Sequence, residues 1–100
     1  MVNRQAFQKR MEELLPGVPI YFQPPSNIRM TYPAVVYSLK DVDKLVGNNS
    51  VVHVEYVYEV VAISRDPDDA MLSILSGIPT SSFDRSYIFD GLYHNVFSIY

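Results

Sequence analysis

Residues 51–63 read VVHVEYVYEVVAI, a run of mostly β-branched and tyrosine side chains with no Gly or Pro among them. Branching at Cβ restricts χ1 in a helix, and such side chains fit a pleated, half-buried surface, so the run predicts a strand. Side chains alternate along a strand, which puts Val52, Val54, Tyr56, Tyr58, Val60 and Ala62 on one face. The other face carries Val51, His53, Glu55, Val57, Glu59, Val61 and Ile63, polar toward one end and apolar toward the other. The first face is expected to be core throughout and the second only near Val61. Glu55 and Glu59 then mark the part that meets solvent or a partner. At ~3.3 Å per residue this strand spans roughly 43 Å. A domain of this length has a radius of gyration near ~13 Å, hence a diameter of about 34 Å for a uniform sphere. The strand must bend sharply or run past its own core, and the simplest cover for an overhanging apolar face is another copy.

Elsewhere the pattern predicts shorter elements. Asn3 is a good N-cap, and Phe7, Met11, Leu14 and Leu15 recur at helical spacing until Pro16-Gly17 ends the helix. Residues 18–22 read as a first strand stopped by Gln23-Pro24-Pro25, and residues 34–39 as a second. Residues 40–50 are polar with Gly47-Asn48-Asn49, the expected tip of a long hairpin leading into the third strand. Asp66-Pro67-Asp68-Asp69 opens a second helix with Asp66 as cap and Pro67 in its first position, and Gly77 suits a left-handed end. Its buried stripe is expected to be Met71, Leu72, Ile74 and Leu75. Asp90-Gly91 between residues 82–89 and 92–100 signals a two-residue hairpin that sets Phe89 opposite Leu92 and Tyr87 opposite His94. The expected fold is one α+β domain over residues 1–100, in the order α-β-β-β-α-β-β, with two helices on an antiparallel β-sheet.

Composition narrows the function. A formal charge of −3 without a Lys/Arg cluster argues against a general grip on nucleic acid. Charged residues make up 19 % of the chain, below the ~25 % usual for soluble domains, which leaves a surface suited to assembly. There is no cysteine, so disulfides and thiolate metal sites are excluded. No stretch approaches the ~20 apolar residues of a membrane span, and the polar N-terminus lacks a signal-peptide core.

Catalytic and metal-binding patterns are sparse. His53 and His94 have no metal-ligand spacing, and a metal site would need carboxylates from distant segments. Ser82 or Ser86 with His94 and Asp84 could compose a triad, but without a nucleophile elbow. Asp66, Asp68 and Asp69 lack the glycine and final Glu of a calcium loop. Asp84 and Arg85, adjacent on a strand, are expected to point to opposite faces. No catalytic residue, cofactor or metal site is expected.

Several segments, taken in order, carry a family resemblance. Gln23-Pro24-Pro25 precedes Ile28, Met30 and Tyr32-Pro33-Ala34-Val35-Val36-Tyr37; Arg65-Asp66-Pro67-Asp68-Asp69 follows a long strand; Ser82-Phe83-Asp84-Arg85-x-Tyr87 precedes Asp90-x-Leu92-x-His94-x-x-Phe97. Together they resemble the tail terminator, tail completion or minor capsid proteins of siphophages, over nearly the whole chain. The resemblance implies a homo-oligomeric ring, typically hexameric, at the head-proximal end of a long non-contractile tail. Such a ring ends tube polymerisation and joins tail to head, with the tail tube protein and the head connector or stopper protein as partners. Genomic DNA would pass through its lumen unread. The implied location is the virion neck, after assembly in the host cytoplasm. One departure is Val51-Val52-His53-Val54-Glu55, where more basic or polar residues would be expected.

Read with that resemblance, Val52, Val54, Tyr56 and Tyr58, flanked by Glu55 and Glu59, are the expected subunit interface. Asp41, Lys44, Asn48 and Asn49 are the expected contact with a neighbouring ring. The alternatives are a head-completion adaptor on the head side of the joint, or a small non-viral protein-binding module.

Overall fold

The valine–tyrosine run forms the longest strand of a five-stranded sheet in the computed structural model, which describes residues 3–100. Met1 and Val2, part of the polar N-terminal stretch, lie outside the described residues. In chain order the elements are α1 (Arg4–Leu14), β1 (Ile20–Phe22), β2 (Ala34–Gly47), β3 (Ser50–Ser64), α2 (Met71–Ser76), β4 (Ser81–Phe89) and β5 (Leu92–Ile99). Across the sheet the order is β1-β2-β3-β5-β4. The α+β class and the order of elements are those expected from the sequence. The sheet is mixed, however: β1 runs parallel to β2, with Ile20 opposite Val35, while the other pairings are antiparallel. A parallel pair needs a long crossover, and the proline-bearing segment of residues 23–33 returns the chain to the starting end.

Both helices cover one face of the sheet. Asn3 caps α1 by accepting the Ala6 N–H at 3.0 Å, and Phe7, Met11 and Leu15 point into the core. The Phe7 ring stacks on Tyr58 with centroids 4.3 Å apart and tilts against Tyr37 at 5.0 Å. Val35, Val60, Phe97 and Ile99 complete the sheet side, and Met71, Leu75 and Ile78 close it from the second helix. Tyr37 donates from its hydroxyl to Gln8 Oε1, so the one polar atom of that ring is satisfied.

Three local expectations are corrected. First, β2 does not stop at Leu39 but continues to Gly47, because the strongly β-forming start of β3 draws residues 40–47 into a ladder despite their charge. Two bulges absorb the mismatch, between Leu39 and Asp41 and between Leu45 and Val46. Only Asn48 and Asn49 turn, with φ of 52° and 61°, the pair of positive angles that a two-residue primed hairpin requires. Asp90 and Gly91 make the second such turn (φ 54° and 73°), with Phe89 opposite Leu92 and Tyr87 opposite His94 as expected.

Second, α2 begins only at Met71. The aspartates ahead of it satisfy a turn instead: Asp66 Oδ1 accepts the Asp68 N–H, and Asp69 Oδ1 accepts the Met71 N–H. Ser64, buried, donates its hydroxyl to Asp69 Oδ2 and accepts the Asp66 N–H. Such local side-chain bonds compete with helix extension. Leu72 and Ile74 are exposed rather than buried, and Gly77 is right-handed (φ −77°). Third, Asp84 sits at a bulge in β4, which lets it meet Arg85 Nη1 through Oδ2 instead of pointing away from it.

Candidate subunit interface

The sheet is unequal in length across its width, and this creates an arm. β5 pairs with β3 only over Tyr58–Ser64, and β1 pairs with β2 only at Val35, Val36 and Tyr37. Residues 39–47 and 50–57 therefore form a two-stranded ribbon with a free edge on each side, which contributes to overall extents of 51 × 29 × 24 Å. Of the two outcomes open to so long a strand, the chain extends past its core.

Exposure rises along the arm. Tyr58 is buried at the root beneath Phe7, Tyr56 is half-buried, and Val54 is exposed. Leu45, Val46, Val51 and Val52 are 63, 59, 54 and 61 % exposed. The expectation that this face is core throughout therefore holds only from Tyr58 onward. Beyond it Tyr56 still packs half-buried against the core, Val54 and Val52 are exposed, and Val52 is the residue skipped by the outer bulge. Glu59 does not lie on the overhang; it pairs with Ser38 and Ser98 inside the sheet. Asp41 and Lys44 are not at the tip either. They stand along β2, opposite Val57 and Val54, and only Asn48 and Asn49 occupy the turn.

The two faces of the arm differ. On the helix side Leu39 faces Tyr58, Val42 faces Tyr56 and Lys44 faces Val54. On the far side Asp41 faces Val57, Asp43 faces Glu55 and Leu45 faces His53. Like charges directly opposite one another are unfavourable, so this side concentrates negative charge at a cost. Asp41, and then Glu55, hold the Asp43 carboxyl above its ordinary value. Glu55 is held below its own, chiefly by His53, whose Nε2 lies 2.7 Å from Glu55 Oε2. A groove of about 290 Å³ runs here, walled by Leu45, Val57 and Tyr100 as well as by Asp43, Glu55 and His53.

No catalytic arrangement forms from the serines and histidines noted in the sequence. His94 is buried, its Nδ1 3.0 Å from the Leu92 carbonyl and its ring stacked on Tyr87 at 4.7 Å. Ser86 pairs with Asn95, one position off in register and so on the opposite face, and Asp84 is engaged by Arg85. Among the described residues no group of His, Asp and Glu is arranged to hold a metal ion. No helix there is long and apolar enough to cross a membrane.

One surface went unmarked in the sequence. β4 is the outer strand of the sheet and is exposed from Ser82 to Phe89, with Ile88 and Phe89 at 65 and 69 %. The alternation that announced its hairpin says nothing about which strand lies outermost. Compared with protein-family models and with curated proteins, the chain matches none.

Proposed function

We propose that this chain is a structural virion protein that forms a ring at the head-proximal end of a long non-contractile phage tail. It ends tube growth there and joins the tail to the head connector. The observation that supports this reading most is the arm, which carries valines and leucines into solvent where its own chain cannot cover them. Large exposed apolar patches on small domains mark interaction sites. A head-to-tail contact closes into a ring when its rotation divides a full turn. A net charge of −3 suits a wall that lets DNA pass without holding it. The ring's two rims differ, so one can meet the tube and the other the connector, and polymerisation stops on binding.

The test is assembly in the parent phage. Without the protein, tails of irregular length should accumulate beside filled heads, and removal of residues 41–50 should give the same defect with the fold intact. Normal attached tails of correct length would refute the proposal. The protein should co-purify with tail tubes; recovery only on DNA-filled heads would make it a head-completion adaptor.

A further inference from the structure

We infer that the outer edge of β4 in one copy pairs, antiparallel, with the free edge of β2 along the arm of the next copy, so that the sheets join. The inference rests on the self-assembly proposed above and names its contact. Apart from the short β1 and the arm's other edge, β3 from residue 50 to residue 57, the sheet leaves two strips of strand edge without a neighbouring strand: the full outer edge of β4, and β2 from residue 39 to residue 47, where β1 no longer covers it and only the Gln23 and Asp41 side chains hold the Leu39 and Val42 N–H groups. They match in length. Within one chain three antiparallel pairings separate β2 from β4, so these strands point opposite ways. Rotation about an axis along the strands preserves those directions, which makes the contact between neighbours antiparallel as well.

Charge sets the register. With Arg85 opposite Asp43 of the next copy, Ser86 meets Val42 and Tyr87 meets Asp41, and Ser81–Phe89 then spans the whole free strip. The faces agree in the central stretch between the bulges: Arg85 and Tyr87 stand opposite Val96 and His94, on the side away from the helices, where Asp41 and Asp43 also stand. An incoming guanidinium relieves the like-charge crowding of Asp43 by Asp41 and Glu55. Arg85 is available, since its present bond to Asp84 is a surface pair with both side chains well exposed, and such pairs hold weakly. The same contact hides the long outer edge of β4, which carries the exposed Ile88 and Phe89 and which a soluble protein otherwise protects.

The chain has no cysteine, which makes cross-linking clean. β2 and β4 lie three strand spacings apart, ~14 Å, beyond the ~7 Å reach of a disulfide between Cα atoms, so any Val42–Ser86 link is between copies. A mixture of V42C and S86C proteins should oxidise to covalent dimers, each alone should not, and V42C/S86C in one chain should give a ladder ending at the ring number. R85D and D43R should each weaken self-association by ~10-fold or more, and the two reversals together should restore it. Self-association without the 42–86 link, or indifference to R85D, would overturn the edge pairing and leave the ring standing. A protein monomeric up to ~1 mM would overturn both.

Discussion

Trimming one valine at each end of β3 separates a strand that holds the fold from a strand that serves assembly. Val60 is fully buried between Tyr37 and Phe97, whereas Val52 is 61 % exposed on the arm. Val→Ala removes two carbons, so at ~0.8 kcal/mol per buried methylene the transfer loss at Val60 is about 1.6 kcal/mol. The cavity left behind raises this to roughly 2–3 kcal/mol. With the same coefficient scaled to its partial burial, Val52→Ala should cost no more than about 0.6 kcal/mol. A domain of this size shifts its Tm by ~4–8 °C per kcal/mol, so V60A should melt ~8–24 °C lower and V52A less than ~5 °C lower. Urea unfolding at low concentration reads the isolated chain, and a concentration series removes the linkage to assembly. Sedimentation of the assembled protein should reverse the ranking, with V52A the more harmful. Equal destabilisation of the dilute chain by both substitutions would place the arm inside the cooperative core and refute the argument.

Two further outcomes follow. In a carbon-detected NMR titration, Asp41→Asn should lower the Asp43 midpoint and His53→Gln should raise that of Glu55. The signs differ: the Glu55 interaction is present above the carboxylate range and fades as pH falls through it, while the repulsion at Asp43 is present at high pH and eases on protonation. Unchanged midpoints in the variants would remove the far-side charge cluster from the account. Gly91→Ala should destabilise the β4–β5 hairpin by ~1–2 kcal/mol, because its φ of 73° is left-handed while nothing crowds the added carbon; an unchanged melting temperature would contradict this.

What could be read from the sequence was what short-range chemistry decides. The Asp90-Gly91 turn and its register, the Asn3 cap and the long third strand all depend on residues a few positions apart. Residues 40–47 were hidden because their charges resemble a loop, and only a partner strand in need of a ladder makes them extended. The parallel placement of β1 is decided across the whole sheet, with no trace in Ile20–Phe22 itself. Asp66 and Asp69 looked like a helix start because turns and caps use the same side chains. Length alone leaves β3 either a sharp bend or an overhang, and where burial ends along it depends on how far the core beneath α1 extends. The outermost position of β4 has no local signature at all.

Tyr58 is both the last residue of β3 that the core covers and the first at which β5 supports it. Mechanically the ribbon is a cantilever clamped at this ring, which is gripped by Phe7 on its face and Tyr37 at its edge. The Leu39–Asp41 bulge lies directly across from the clamp, so the β2–β3 ladder is interrupted at the point where the ribbon leaves the body. Force applied to Asn48 and Asn49 thus reaches α1 through aromatic packing. Softening the clamp with Phe7→Ala would loosen the lever without touching any residue that leaves the body of the protein.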